Sequence, residues 1–211
     1  SPTGWLVRDT LSARLHPRRA CAALAAAIAA RGGEIRAEGA DEGLVVWATG
    51  AAGLAEIGGG FGAGVKGQAA LLHFDARDRP QLYAEGLHVV PHADGTVAVG
   101  STTERAYDDP ASTDEQLDEV IARATSAVPL LHGARVVERW AGLRPRARSR
   151  APVLGPHPSR PGQFIANGGF KIGFGMAPRL GEVMADLLLE GREEAVPRAF
   201  RPEPSLPRGG G

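Results

Sequence analysis

Trp140-Ala141-Gly142-Leu143-Arg144-Pro145 places an arginine between small or apolar residues. Farther along, Asn167-Gly168-Gly169-Phe170-Lys171-Ile172-Gly173-Phe174-Gly175-Met176-Ala177-Pro178 is a glycine-rich run that opens onto a helical pattern. Arg presents a planar fork of donors that matches a carboxylate. A helix N-terminus presents free backbone N–H groups and the positive end of a dipole. An Arg in a turn, with a glycine loop opening on a helix, therefore suits an anion held beside an electron-rich ring. Taken alone, Arg144 also fits a structural arginine capping carbonyls or a solvated one, and Lys171 has the same two readings. Arg146, Arg148 and Arg150 alternate in an expected loop and read as solvated. Gly168, Gly169, Gly173 and Gly175 are either plain turn residues or places where a ligand comes close to the backbone.

Upstream, Pro17 to Arg31 predicts a helix, with Pro17 in its first turn, an alanine run of high propensity and Gly32-Gly33 ending it. Leu44 to Ala48 predicts a short buried strand of the parallel kind. Ala51 to Gly64 reads as loop and Gln68 to Phe74 as strand. Gly86 to Pro91 and Thr96 to Thr102, separated by His92-Ala93-Asp94-Gly95, predict a hairpin. Asp114 to Ala127 predicts an amphipathic helix capped by Thr113, with Leu117, Val120, Ile121 and Ala124 on one face. Arg135 to Trp140 predicts a further strand. Ala177 to Leu189 predicts a helix with Pro178 in its first turn and Gly191 past its end. An α/β element at each end of the chain, with antiparallel strands between, is the pattern of a domain interrupted by another.

Composition excludes several classes. Lysine plus arginine equal aspartate plus glutamate at 24 each, so no basic excess attracts nucleic acid. Aromatics make up 5%, too few for a base-stacking surface. No run reaches the roughly 18 apolar residues that span a bilayer. Cytoplasmic placement is the expectation. The single Cys21, in an alanine-rich helical stretch, reads as a small buried apolar residue. The six histidines are scattered without metal-ligand spacing, so no metal is expected. No serine sits in a GxSxG elbow.

Gly62-Ala63-Gly64-Val65-Lys66-Gly67 matches GxGxxG, with Glu85 at a suitable distance downstream. A working dinucleotide fingerprint lies between a strand and a helix. Here the residues that follow read as strand, so the match is set aside.

Taken in order, the segments resemble the D-amino-acid oxidase/glycine oxidase family of FAD-dependent oxidoreductases over most of Leu15 to Glu190. Leu15-His16-Pro17-Arg18-Arg19 resembles that family's proline-led, Ala/Leu-rich helix. Val45-Val46-Trp47-Ala48-Thr49-Gly50-Ala51 resembles its VVxAxGA strand, and Val65-Lys66-Gly67-Gln68 its RGQ strand. Val90-Pro91, Asp94-Gly95 and Val99-Gly100-Ser101-Thr102-Thr103-Glu104 resemble its VPR-DG-VVGST-E hairpin. Trp140 to Pro145 matches WAGLRP, and Gly168 to Gly181 resembles the loop and helix that close over the flavin.

The resemblance implies an α/β fold of α+β character: a partial FAD-binding domain interrupted by a mostly antiparallel substrate-binding sheet with one helix. It divides the chain into residues 10–53 (partial FAD-binding), 54–143 (substrate-binding), 144–192 (return to the FAD-binding domain) and 193–211 (a disordered tail). It implies oxidative deamination of a small amino acid or amine carboxylate by hydride transfer to FAD, with oxygen or another acceptor taking the electrons. Arg144 and Lys171 become the expected catalytic residues, with Arg144 gripping the carboxylate. Ala48, Thr49, Gly50, Gly168, Gly169, Phe170, Lys171, Ile172 and Gly173 become the expected cofactor-binding residues. No nucleic acid or membrane span is implied, and a homo-oligomer is open.

Three features depart from the family pattern. No strand–GxGxxG–helix unit opens the chain, Gly33 to Gly43 is short, and His92 and Ser149 stand where the family usually has Arg and often Asp. The sequence, which opens on Ser1, is accordingly expected to be an incomplete enzyme whose nucleotide-gripping part is missing or lies in another polypeptide. Two other outcomes stay open: a non-catalytic remnant or carboxylate-binding module without flavin, and a sarcosine-type flavin dehydrogenase.

Overall fold

A computed structural model describes residues 4–207. Its helices and strands, in chain order, are α1 (Pro17–Ala30), β1 (Val46–Trp47), α2 (Gly50–Ile57), β2 (Gly62–His73), β3 (Leu82–Ala84), β4 (Leu87–Pro91), β5 (Thr96–Gly100), α3 (Glu115–Ala127), β6 (Arg135–Ala147), β7 (Val153–Pro156), β8 (Phe164–Asn167) and α4 (Gly173–Glu190). The chain is a mixed α/β protein with two sheets, of order β1-β8-β7 and β3-β4-β5-β2-β6. It divides into two compact units. Within the described residues, the first takes 4–40, 67–103 and 111–141, and the second 41–66, 104–110 and 142–207.

In the first unit, β4 and β5 form the expected antiparallel hairpin, pairing Pro91 with Val97 and Val89 with Val99. Gly95, at φ 81°, takes the left-handed position the turn requires. Asp94 steadies the turn by accepting the Thr96 N–H at 3.2 Å and its hydroxyl at 2.5 Å. β5 pairs antiparallel with β2, Ala69 opposite Gly100. One face of these strands buries Leu72, Leu87, Val89, Val97 and Val99 against Leu117, Val120 and Ala124 of α3. Complete burial of each such Val or Leu stabilises by about 1.5–3 kcal/mol.

The cap of α3 is Asp114, not Thr113: its carboxylate accepts the Gln116 N–H at 3.0 Å. Asp114 has a second role. The Gln68 side chain, fully buried, donates to its carboxylate at 2.8 Å and accepts its backbone N–H at 2.9 Å. A glutamine in the middle of a strand core is tolerated because both ends of its amide are satisfied.

α1 forms where expected but buries no residue, and Cys21 is exposed rather than buried. Polar contacts hold the helix in this unit. Arg18 forms a two-pronged pair with Glu138 and lies over the Trp140 ring, and Arg19 meets Asp94 at 3.0 Å. These contacts group α1 with the antiparallel sheet, whereas the sequence places it with β1.

In the second unit, β1 runs parallel to β8, Val46 opposite Phe164, and β7 runs antiparallel to β8. β1 is the edge strand and is not buried: Leu44 and Val46 are 57% and 37% exposed. The stretch expected as loop from Ala51 contains α2, whose Leu54 is fully buried with Phe61, Ala147, Val153 and Ile165. β6 continues seven residues beyond Trp140 to Ala147, so Arg144 and Arg146 lie in a strand and are half-buried.

α4 starts four residues before Ala177, at Gly173, and Pro178 falls inside it rather than in its first turn. It ends on Gly191, left-handed at φ 66°. Val183, Met184 and Leu187 pack on Leu154 and Val196. Residues 193–207 do not form the disordered tail expected of them. They make three short 3-10 turns, bury Val196 and Ser205, and bring the Ser205 hydroxyl to the Ser149 N–H at 3.3 Å. Val196 and Phe200 give this Pro/Arg-rich stretch enough apolar surface to dock. Residues 208–211 lie outside the described residues. Among the described residues, no helix is long and apolar enough to cross a membrane.

Candidate active site

Arg144 stands on β6, half-buried, with Nη1 donating to the Lys66 carbonyl at 3.3 Å. Burial pulls its guanidinium pKa below the ordinary value, and the Glu104 charge opposes that shift. An arginine stays protonated under either influence. Lys66 and Glu104 themselves are buried, 2% and 8% exposed, with Nζ and Oε2 3.7 Å apart. Their backbones form an antiparallel bridge, each N–H donating to the other's carbonyl at 2.9 Å. Arg144 therefore rests on a rigid, charged element rather than in a mobile turn.

The glycine loop is tied to the residue next to Arg144. The Phe170 N–H donates to the Pro145 carbonyl at 3.1 Å. Gly168 is left-handed at φ 75°, and a Cβ there would stand 3.2 Å from both the Ala147 Cβ and the Ala151 carbonyl oxygen. Phe170 is left-handed too, at φ 44°, an uncommon state for a bulky residue. Lys171 is exposed, with Nζ 5.7 Å from the centre of the Phe170 ring. Ile172 is 51% exposed and serves as the N-cap of α4.

Gly173 and Gly175 thus lie in the first turn of α4, not in the loop. The first intrahelical bond there runs from the Met176 N–H to the Ile172 carbonyl at 3.0 Å. The N–H groups at 173–175 consequently have no intrahelical acceptor. Nothing stands within 4 Å of where a Cβ would sit on Gly173 or Gly175.

Ala48 and Thr49 are exposed, and Gly50 starts α2 at φ 62° with open space around its missing Cβ. Asn167, which the sequence reading passed over, joins this segment to the glycine loop. Its Nδ2 donates to the Gly50 carbonyl at 2.9 Å, and its Oδ1 accepts the Gly168 N–H at 2.8 Å. Asn167 is 9% exposed. Its one signal in the sequence is its place immediately before the glycine pair. The structure thus links Gly50, Gly168 and Phe170 to the neighbour of Arg144 through one amide and one backbone bond.

The family model described as FAD dependent oxidoreductase (DAO) matches residues 2–187. Glycine oxidase of Pseudomonas putida is 35% identical over 143 residues, covering 67% of this chain and 39% of that protein. The structure of glycine oxidase from Geobacillus kaustophilus superposes with a TM-score of 0.63 at 27% identity, covering 79% of this chain and 45% of that one. Iminodiacetate oxidase from Chelativorans sp. gives a TM-score of 0.67 at 25% identity, over 78% of this chain and 48% of that one. The chain spans about two fifths of the length of the two Pseudomonas glycine oxidases it matches, and less of the other curated relatives.

Proposed function

The chain belongs to the DAO family of FAD-dependent oxidoreductases, and we propose that it carries the substrate-facing part of an enzyme that oxidises a small amino acid or amine carboxylate. The single observation behind this is the Phe170 to Pro145 hydrogen bond, which holds a glycine loop and a helix N-terminus beside Arg144.

The residues present fit the ring-facing side of a flavin. Gly50, Gly173 and Gly175 leave open space where side chains would stand, and the start of α4 offers backbone donors without intrahelical acceptors. The residues that would hold FAD are Ala48, Thr49 and Gly50 together with Gly168 to Gly173. The GxGxxG match at Gly62–Gly67 lies within β2 and does not fit a pyrophosphate. When bound, FAD supplies the hydride acceptor. Arg144 binds the substrate carboxylate through its guanidinium fork and so orients the α-carbon. The positive end of α4 would favour negative charge on a flavin bound at this loop. Lys171 adds an exposed positive charge in the loop. Oxygen or another carrier as electron acceptor, and a cytoplasmic location, belong to the same proposal.

The test is titration of the purified full chain with FAD, followed by flavin fluorescence, and then addition of glycine and iminodiacetate under anaerobic conditions. Quenched flavin fluorescence, with bleaching of flavin colour by one of these substrates, is the expected result. A chain that stays colourless in excess FAD overturns the proposal for this polypeptide.

A further inference from the structure

The segment Ala48-Thr49-Gly50 joins β1 to α2, and its own local structure holds it weakly. β1 pairs with β8 through Val46 and Trp47 alone. Thr49, the N-cap of α2, makes no side-chain capping bond. Gly50 is left-handed at φ 62°, with open space where a side chain would stand. Such a segment takes its course from what grips its two ends.

One loop grips both. The β7–β8 loop is braced internally. The His157 N–H donates to the Gln163 carbonyl at 2.8 Å, and the Gln163 N–H to the Arg160 carbonyl at 3.1 Å. The Ser159 N–H donates to His157 Nδ1 at 3.3 Å, and His157 is 9% exposed. From this loop the Arg160 guanidinium carbon lies 3.9 Å from the centre of the Trp47 ring, just before the segment. The same guanidinium pairs with Glu56 on α2, just after it. Gln163 adds to the hold: its Oε1 accepts from Trp47 Nε1 at 2.6 Å, and its Nε2 donates to Asp41 at 3.1 Å. All of these residues belong to the second unit. An accessible ion pair, or a cation over a ring, is weak taken singly. Here one side chain makes both contacts, and they fall on opposite sides of the same short segment.

We propose that Arg160 is a positioning residue for the flavin site: by spanning from Trp47 to Glu56 it holds Ala48-Thr49-Gly50 in the course that receives the cofactor. This rests on the flavin role proposed for residues 48–50. Asn167 fixes Gly50 from one end of β8, and Arg160 fixes the flanks of the segment from the loop at the other end.

The test compares the full chain as wild type, R160M, E56Q, R160M/E56Q and R198M. The last removes an exposed arginine from the tail and serves as the charge control. Urea denaturation confirms that each variant is folded. Without FAD, hydrogen exchange read by mass spectrometry is expected to quicken several-fold in peptides covering 47–54 of R160M, and to stay unchanged in those covering β4 and β5. FAD binding, read by flavin fluorescence, is expected to weaken about tenfold in R160M and about threefold in E56Q. The double variant is expected to bind as R160M does, because both substitutions break one bridge. At saturating FAD, the visible circular dichroism of the bound flavin is expected to change in R160M, which a loss of stability alone would not cause. Glu56 is exposed, so E56Q carries the decision even where R160M fails to fold. A folded R160M that exchanges or binds FAD as R198M does, or that binds weakly with an unchanged flavin signal, overturns the positioning role alone. A wild-type chain that binds no FAD overturns the flavin role of residues 48–50, and the role of Arg160 with it.

Discussion

Phe170 donates its backbone N–H to the carbonyl of Pro145, so the glycine loop is fastened to the residue that follows Arg144. The bond lies at a bend where Gly168 at φ 75° and Phe170 at φ 44° are both left-handed. The loop therefore has one well-defined course, set from both sides of the Gly-Gly pair.

Gly168→Ala should disrupt that course. The left-handed conformation costs an L residue about 1–2 kcal/mol, and the new Cβ would press on Ala147 and the Ala151 carbonyl at 3.2 Å. Urea denaturation should show a lower midpoint with an unchanged slope. A midpoint equal to wild type would mean that the loop re-forms without cost.

Gly175→Ala should do the reverse for stability. Gly175 is in the first turn of α4, has no positive φ, and has nothing within 4 Å of its Cβ position. Alanine there should stabilise the fold by about 0.4–1 kcal/mol. If a flavin ring approaches this backbone, the same methyl group should weaken FAD binding, measured by fluorescence titration. Higher stability with FAD binding intact would place the ring elsewhere.

Asn167→Ala removes the donor to Gly50 and the acceptor for Gly168 at a site only 9% exposed. Leaving a buried N–H and a part-buried carbonyl without these bonds should cost about 1–3 kcal/mol. Asn167→Asp keeps the acceptor but loses the donor, so its loss in urea denaturation should be distinct from that of the alanine variant. Equal stability of all three proteins would remove Asn167 as the tie between the two segments.

Much of this frame is legible in the residues, and the gaps have physical causes. The hairpin is announced by Asp94-Gly95 because only a few residue types accept that turn, and α3 by apolar residues at helical spacing. β7 and β8 escape notice because each has four residues and lies among Pro152, Pro156, Pro158 and Pro161, which hide any strand period. α2 is masked by glycine content, although Leu54 and Ile57 are one helical turn apart. Pro145 hides the continuation of β6, since proline normally argues against a strand. Arg144 thus reads as a turn residue although it stands in a sheet. The tie made by Asn167 depends on contacts between residues more than a hundred positions apart, which no local pattern announces.

His92 should make stability depend on pH. Burial lowers its pKa from 6.5, as do the neighbouring His16, Arg14 and Arg19 charges, while Asp94 opposes them. The rings of His16 and His92 lie 4.4 Å apart. A histidine whose folded pKa lies below its unfolded value binds protons more readily in the unfolded chain. Stability is then complete above about pH 6.5 and falls as the pH drops below it. Unfolding free energies from pH 5 to 7.5 should decline toward acid, and His92→Gln should flatten that decline. An identical slope in the variant would assign the acid sensitivity to another group.

Arg144→Lys separates charge from shape. Lysine retains the positive charge but loses the planar fork and the rigid donor set, so only a bidentate role should be lost. The guanidinium of Arg144 is half-buried and held by the Lys66 carbonyl at 3.3 Å, which a flexible ammonium cannot reproduce with the same aim. Hydrogen bonds to a charged group are worth about 1.5–3 kcal/mol, so loss of one should weaken carboxylate binding about tenfold or more. Arg144→Ala should weaken it further, because the charge goes as well. Calorimetric titration with acetate orders the three proteins. Equal affinity of the lysine variant and wild type would show that Arg144 acts as a point charge and does not orient the carboxylate.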